Sequence, residues 1–259
     1  MNRKLKNILL KIEYDGTNYR GWQTQKTPGE RSKFKTIQQT LENILTKILK
    51  EPVKLFASGR TDAGVHAAGQ IANFKTHTQI PLTKLKVAVN SLLPYDIRIK
   101  TVKQVGLDFH ARYDAKSKVY QYTILNKSEH SVFTRNFSTY IRYPLDVELM
   151  RKEAKAFLGK HDFKSFQASD KRVRNSVRTI KMISVKKRRG YIYINIEADG
   201  FVYNMVRNIA GTLIELGRGK LQAGSIKKIL QAKNRIYAGR IASARGLRLL
   251  KVNYKQKLG

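Results

Sequence analysis

Short stretches of alternating apolar and polar residues recur along this chain, and segments of helical periodicity separate them. Residues 8–14 carry apolar side chains at every second position and predict a first strand that ends at Asp15-Gly16. Apolar residues at helical spacing then predict a helix over 36–50. Strands interleaved with amphipathic helices are typical of an α+β fold.

The same alternation continues to the end of the chain. Further strands are predicted near 53–58, 70–75, 97–104, 117–125, 177–186, 191–198 and 247–254, and further helices over 82–93, 146–158, 203–217 and 223–233. Residues 24–36 contain Pro28-Gly29 and predict a loop, and residues 188–190 predict a hairpin turn. The two halves have a similar order of elements, so we predict two α+β domains at 1–106 and 107–259.

Charge is the most unusual feature of the composition. Fifty-two Lys and Arg residues stand against 18 Asp and Glu, which gives a net charge of +34. Only three acids, Glu197, Asp199 and Glu215, lie between Lys171 and Gly259. Because self-repulsion at this level is destabilising, the charge favours a polyanionic partner such as nucleic acid. A general bias toward Lys and attachment to a membrane surface are the alternatives, although no basic amphipathic helix of the membrane-surface type stands out.

Several classes of protein are disfavoured by the composition. Apolar residues make up 41% of the 259 positions, as in a globular protein. Residues 1–16 lack an apolar run long enough for a secretory or membrane segment, so a cytoplasmic protein is expected. The chain has no cysteine, and its five histidines lack the spacing of metal ligands. We therefore expect neither a disulfide nor a metal site.

The stretch from Ser58 to Ala67, SGRTDAGVHA, is the strongest candidate for chemistry. Small residues flank it, so that a ligand could approach the backbone closely. In an extended chain Arg60 and Asp62 would point to the same side, and the guanidinium would favour an ionised carboxylate. Such a carboxylate is a candidate nucleophile. The alternative is a simple turn in which Asp62 bonds its own backbone.

Together with other blocks, this stretch resembles the tRNA pseudouridine synthase A family. The blocks occur in family order and cover nearly the whole chain: YDGTNYRGWQ at 14–23, GRTDAGVHA at 59–67, NSLLPYDI at 90–97, FHAR at 109–112, KVYQY at 118–122, HDFKSF at 161–166 and NMVR at 204–207. The family's invariant aspartate falls on Asp62.

This resemblance implies an isomerase that converts uridine to pseudouridine at nucleotides 38–40 of the tRNA anticodon stem-loop. It also implies two ferredoxin-like or RRM-like halves that share a mostly antiparallel central sheet flanked by helices, with the catalytic cleft between them. No small-molecule cofactor is expected, the partner is tRNA, and the enzyme would be a homodimer. Attack by Asp62 at C6 of uracil and attack at C1′ of ribose both remain open.

The resemblance assigns roles to four further residues. Tyr120 would stack on the uracil and accept the proton from C5, although its position also fits a core aromatic in a strand. Arg207 would pair with the nucleophile, although an arginine in so basic a chain is also typical of a solvated or phosphate-facing charge. Arg60 would help to displace the target base from its stack. Leu247 would form the apolar wall of the uracil pocket.

The chain departs from the family pattern just before Leu247. The family usually has an Ala-Pro pair there, whereas this chain has Ala242-Ser243, and loss of the proline would loosen the turn. The basic surface from Lys171 onward, with Lys187 and Arg188 at the predicted hairpin, is expected to contact phosphates. His66 and His161 are interpreted as structural or hydrogen-bonding residues.

Other functions remain as alternatives. One is a related synthase of broader RNA specificity, and another is a non-catalytic RNA-binding protein or chaperone on the same fold. A metal-dependent nuclease is disfavoured because the sequence lacks clustered carboxylates.

Overall fold

The computed structural model describes residues 4–23, 35–168 and 175–255. Within these ranges the chain forms ten β-strands and five α-helices, and most strand pairs are antiparallel. This confirms the predicted α+β class. Residues 24–34 of the predicted loop and Lys171 lie outside the described residues. Among the helices that are described, none has both the length and the apolar character needed to cross a membrane.

Contacts divide the chain into two compact units. The first consists of Met1–Lys116 with Leu249–Gly259, and the second of Ser117–Arg248. The domain limits predicted at residues 106 and 107, and the cleft expected between the halves, stay predictions.

The first unit has the element order of a ferredoxin-like fold. Its elements are β1 (Lys6–Tyr14), α1 (Ile37–Leu49), β2 (Phe56–Ala57), β3 (His66–Thr76), α2 (Leu82–Leu92) and β4 (Ile97–Val105). Strand β1 lies between β3 and β4, and β2 pairs with the outer side of β3, all antiparallel. The order β4-β1-β3-β2 with two intervening helices is the ferredoxin-like arrangement. The last strand, β10 (Leu247–Tyr254), is also hydrogen-bonded to β3.

Both faces of β1 are buried near its start, which the alternating pattern does not predict. Asn7 donates hydrogen bonds to the carbonyls of Gly106 and Phe109, both at 2.9 Å. Asn73, on the neighbouring strand, donates to Asn7 at 3.0 Å and accepts from the amide of Ala111 at 2.9 Å. These bonds hold the segment after β4 against the second face, and Leu9 is therefore only 1% exposed.

The second unit also consists of mostly antiparallel strands and helices. Its elements are β5 (Ala115–Leu125), β6 (Thr139–Tyr140), α3 (Val147–Ala154), β7 (Gly159–Asp162), β8 (Val177–Arg188), β9 (Tyr191–Ala198), α4 (Met205–Gly217) and α5 (Ser225–Ala232). The order β5-β9-β8-β7 is antiparallel throughout, and the short β6 adds to β5 in parallel. Alternate residues of β9 are fully buried, as predicted for 191–198.

Helix α4 lies in the core of this unit and is buried along most of its length. Its polar residues are hydrogen-bonded there. Asn208 donates to the carbonyl of Phe166 at 2.8 Å and accepts from Arg235 at 3.0 Å. These bonds satisfy a polar side chain whose burial would otherwise be costly.

Candidate functional site

Asp62 lies in the connection between β2 and β3, on a tight turn. The amide of Val65 donates to the carbonyl of Asp62 at 3.1 Å, and Gly64 has a φ of +74°. The Asp62 side chain is half-buried, whereas Arg60 is exposed. The backbone therefore forms a turn at Asp62, as in the alternative that the sequence left open, and the carboxylate is partly accessible to solvent.

The segment Tyr14–Gln23 packs backbone to backbone against this turn. The amide of Trp22 donates to the carbonyl of Thr61 at 3.0 Å. Gly21 has a φ of +82°, and a Cβ at this position would lie 2.4 Å from the same carbonyl oxygen. A Cβ on Gly16 would lie 2.0 Å from the carbonyl oxygen of Val65. Both glycines are thus required by close approach, and together they brace the turn that carries Asp62.

Buried polar side chains hold the same turn. The hydroxyls of Tyr14 and Thr61 are hydrogen-bonded at 2.8 Å. Burial raises the pKa of Tyr14 to about 12, although the bond to Thr61 lowers it, so the phenol is neutral at physiological pH. Nδ1 of His66 lies 3.1 Å from the amide nitrogen of Gly16 and 3.0 Å from Oδ1 of Asp15. His66 therefore has the hydrogen-bonding position expected of it.

The entry to the turn is also anchored. Ser58 donates to Oε1 of Gln70 at 2.7 Å, and Gln70 donates to the carbonyl of Gly59 at 2.9 Å. Both Ser58 and Gln70 are buried. The stretch that begins at Ser58 is therefore fixed at each end, and its central residues project from a rigid frame.

Tyr120 lies in the second unit, in β5 opposite Ile196 of β9. Its side chain is 8% exposed. The ring meets that of Phe201 edge to face, with the centroids 5.0 Å apart. This packing fixes the plane of the Tyr120 ring.

Arg207 lies in the first turn of α4. Its Nε donates to the carbonyl of Ala242 at 2.8 Å, and Nη1 donates to Oδ1 of Asn204 at 3.1 Å. The backbone amide of Ala242 donates in turn to the carbonyl of Arg207 at 3.1 Å. Arg207 therefore joins the start of α4 to the segment that leads to Leu247.

Tyr122, which the sequence did not single out, holds that segment from the other side. Its hydroxyl donates to the carbonyl of Ser243 at 2.8 Å and is bonded to the Thr139 hydroxyl at 2.5 Å. Burial raises the pKa of Tyr122 to about 12, and the Thr139 bond and two nearby arginine charges offset this only in part. The phenol therefore keeps its proton for the bond to Ser243.

Ser243 keeps the backbone conformation that a proline would impose. Its φ is −57° and its ψ is 145°, within the range that a pyrrolidine ring allows. Leu247, four residues later, is 6% exposed. The contacts of Tyr122 and Arg207 therefore order the segment in which the family usually has proline.

The predicted hairpin is confirmed at the end of β8. Arg189 and Gly190 both have positive φ, of 51° and 82°, as in a two-residue type I′ turn. Lys187 and Arg188 are exposed beside this turn.

The predicted residues thus fall into two groups. Arg60 and Asp62 lie together in the first unit, and Tyr120, Arg207, Leu247 and the hairpin belong to the second. Within the described ranges, no group of three or more His, Asp or Glu side chains could hold a metal ion.

Sequence reasoning missed the supporting residues around both groups. The glycines of the 14–23 block were a usable signal, because two of them occur in a segment that is otherwise rich in bulky residues. No comparable signal marked Tyr122, which is one of 13 tyrosines.

Comparison with known families finds one that matches most of the chain. The family described as tRNA pseudouridine synthase matches residues 11–114 and 154–255, which include both the turn around Asp62 and the start of α4. The chain belongs to this family and thus to the isomerases that act on tRNA. The matched ranges leave out residues 115–153, where Tyr120 lies.

Individual relatives are similar over nearly their whole length. Proteins named tRNA pseudouridine synthase A from Thermoanaerobacter sp. (strain X514) and Acetivibrio thermocellus are 44% and 45% identical, over 96% of this chain and 100% of theirs. A protein of Clostridium perfringens named tRNA pseudouridine synthase A 2 is 47% identical with the same coverage. Among solved structures, a Cbf5-Nop10-Gar1 complex matches 99% of this chain and 60% of the other, at 11% identity and a TM-score of 0.34.

Proposed function

We propose that this protein isomerises uridine to pseudouridine at nucleotides 38, 39 and 40 of the tRNA anticodon stem-loop, with Asp62 as the nucleophile. The observation that carries the proposal is the way the Asp62 turn is held. Gly16 and Gly21 let the backbone of residues 14–23 contact this turn directly. The hydrogen bond between the Tyr14 and Thr61 hydroxyls holds it as well. A carboxylate on such a frame keeps one position while a substrate is bound, which is what covalent catalysis requires.

The reaction itself requires one nucleophile and one base. The bond between N1 and C1′ breaks, the uracil rotates, and a bond between C5 and C1′ replaces it. The Asp62 carboxylate adds to C6 of the base or to C1′ of the ribose, holds that fragment during the rotation, and leaves as a free carboxylate. C5 loses a proton and N1 gains one, so that the oxidation state does not change and no electron acceptor is consumed.

The remaining roles are those that the family resemblance implies. Tyr120 stacks on the uracil and takes the C5 proton, and its edge-to-face packing on Phe201 supports this role by fixing the ring. Arg207 keeps the nucleophile ionised, and Leu247 supplies an apolar wall for the base. Arg60, exposed two residues before Asp62, helps to hold the target nucleotide out of its stack. Lys187 and Arg188 bind phosphates of the tRNA.

The decisive experiment compares the wild-type protein with Asp62→Asn on an unmodified anticodon-arm transcript, with pseudouridine mapped at single-nucleotide resolution. We expect the wild type to modify nucleotides 38–40 and the variant to lose at least about 10³-fold in rate while it still binds tRNA. Asp108→Asn is the matched control, because it makes the same change at an exposed position of the same unit.

Each alternative function predicts a different result. Modification at many other RNA positions would favour a synthase of broader specificity. A wild-type protein that binds tRNA tightly without modifying it would favour the non-catalytic RNA-binding alternative, for which the charge of +34 is sufficient.

We propose further that the enzyme is a cytoplasmic homodimer, as its family resemblance implies. The absence of cysteine fits a reducing compartment. Sedimentation at micromolar concentration tests the dimer, and a monomeric mass with full activity would contradict it.

A further inference from the structure

A cavity of about 300 Å³ lies in the second unit and contains no residue to which a role has been assigned above. Leu125 forms part of its wall, and the other lining residues are His130, Ser131, Arg135, Ser138, Tyr140 and Arg245. All of these except Arg245 fall in residues 115–153, between the two ranges matched by the family. The residue roles proposed above therefore do not account for this cavity.

The wall of the cavity is well fixed. Leu125 of β5 pairs with Tyr140 of β6, and the amide of Ile141 donates to the carbonyl of Leu125 at 2.9 Å. Asn126 donates from its side chain to two carbonyls of the returning chain, at 3.0 and 2.7 Å. The Tyr140 hydroxyl donates to the carbonyl of Ser128 at 2.6 Å. The cavity is therefore a built feature of the fold.

Its lining includes side chains that can bind an anion, and the guanidinium of Arg135 also donates to the carbonyl of Val132. Arg135 and Arg245 bring guanidinium groups, His130 brings an imidazole and Ser131 brings a hydroxyl, whereas no carboxylate lines the cavity. Guanidinium groups bind phosphate oxygens with paired, charge-assisted hydrogen bonds. The volume is at the small end of ligand pockets and suits a phosphate with its sugar.

Exposed apolar side chains stand beside these cations. Phe133 is 91% exposed and lies two positions from both of the pocket residues Ser131 and Arg135, and Val132, next to Ser131, is 52% exposed. Aromatic side chains interleaved with basic ones are typical of surfaces that bind single-stranded nucleic acid, where bases stack on the rings and cations follow the backbone. The pocket and the aromatic side chain thus indicate the same class of ligand.

We propose that this pocket binds a backbone phosphate of the substrate RNA, with the flanking base stacked on Phe133. The identity of the RNA as tRNA rests on the function proposed above. Arg245 precedes Leu247 by two residues, so the two Cα atoms are at most about 7 Å apart. With Leu247 as the proposed wall of the uracil pocket, the phosphate belongs to a nucleotide close to the target uridine.

The test measures the dissociation constant for tRNA as a function of salt. Arg135→Gln should weaken binding about three- to tenfold and reduce the slope of log Kd against log salt by about 0.7 to 0.9, the value of one lost phosphate contact. Arg135→Lys should retain the slope because it keeps the charge. Arg142→Gln is the matched control: Arg142 is exposed in the same connection but does not line the pocket, and its loss should change Kd less than twofold.

A second measurement identifies the phosphate. An anticodon arm with a neutral methylphosphonate at one linkage should lose affinity for the wild type at a particular position, and Arg135→Gln should lose no further affinity there. Equal slopes for Arg135→Gln and Arg142→Gln, or additive losses at every linkage, would overturn the proposal. Conversion of a dimer to a monomer by Phe133→Ala, with an unchanged slope, would assign the surface to a second copy of the chain instead.

These results do not depend on turnover. If the wild type formed no pseudouridine, the proposed function would fail, while the binding slopes would still decide whether the pocket holds a phosphate.

Discussion

At the scale of single residues, the position of the Asp62 turn depends on two glycines, Gly16 and Gly21. The Asp62 turn and the 14–23 segment approach so closely that a methyl group does not fit between them. The carboxylate position is thus a consequence of Gly16 and Gly21 as much as of its own loop. A nucleophile misplaced by about 1 Å can lose two orders of magnitude in rate.

Gly21→Ala tests this dependence. The substitution adds a positive-φ cost of about 1–2 kcal/mol and an overpacking cost of about 1–3 kcal/mol against the Thr61 carbonyl. We expect unfolding to become about 2–5 kcal/mol easier and kcat to fall at least about tenfold, measured by denaturant titration and single-turnover kinetics. Gly219→Ala is the control, because Gly219 has a φ of +76° and no atom within 4 Å of its Cβ position. It should show the conformational cost alone, and equal losses for the two variants would contradict steric bracing.

Sequence reasoning could find Asp62 because its neighbours are unusual and resemble a known block. It could not explain the glycines, since their reason is a contact between segments far apart in the chain. Tyr122 was missed for a similar reason. Its hydroxyl donates a hydrogen bond to the carbonyl of Ser243, and the local sequence pattern does not predict a partner so far along the chain.

At the scale of elements, α4 organises the second unit. The helix was predicted from its apolar periodicity, and its glycine at position 211 is a weakness by propensity alone. In the structure a Cβ on Gly211 would lie 1.8 Å from the carbonyl oxygen of Arg240. Because residue 211 is glycine, the segment that leads to Leu247 can pack directly against the backbone of the helix.

Gly211→Ala should consequently destabilise the protein, although the same change would stabilise an isolated helix by about 1 kcal/mol. We expect an overpacking cost of about 1–3 kcal/mol, which the gain in helix propensity offsets by about 1 kcal/mol. The KM for tRNA should rise, because the displaced backbone precedes Leu247. Gly217→Ala in the same helix should be milder, since its Cβ would meet the flexible side chain of Met150. The melting temperatures of the Gly211→Ala and Gly217→Ala proteins test this difference. A Gly211→Ala protein more stable than the wild type would refute the packing role of Gly211.

Element boundaries show where pattern reading stops. The helices predicted over 36–50, 203–217 and 223–233 are shorter in the structure. They begin or end next to Lys50, Asn204 and Lys233, which adopt positive φ. Strands β6 and β7 were not predicted, since two and four residues are too few to establish a period. The predicted strand 53–58 shrinks to Phe56–Ala57. Long periodic elements are thus readable, whereas ends and short edge strands depend on tertiary contacts.

At the scale of the whole molecule, the charge of +34 destabilises the fold through self-repulsion, and a polyanionic partner offsets this cost. Charge alone did not distinguish phosphate contacts from general attraction, because sequence composition carries no geometry. The hairpin between β8 and β9 places two of the basic side chains in a defined position. Its two positive-φ residues force a tight reversal and leave Lys187 and Arg188 exposed beside it.

Replacing Lys187 and Arg188 together with Ala should therefore weaken tRNA binding and lower the salt slope by about 1.5, as expected for two lost phosphate contacts. Lys227→Ala with Lys228→Ala removes the same charge from an exposed pair on α5 and serves as the control. If general attraction dominated, both pairs would change the slope equally. If turnover at saturating tRNA disappeared in the first variant, the hairpin would belong to the active site. A larger slope change for the hairpin pair, with turnover retained at saturation, would make it a positioning surface that fixes the RNA without taking part in chemistry.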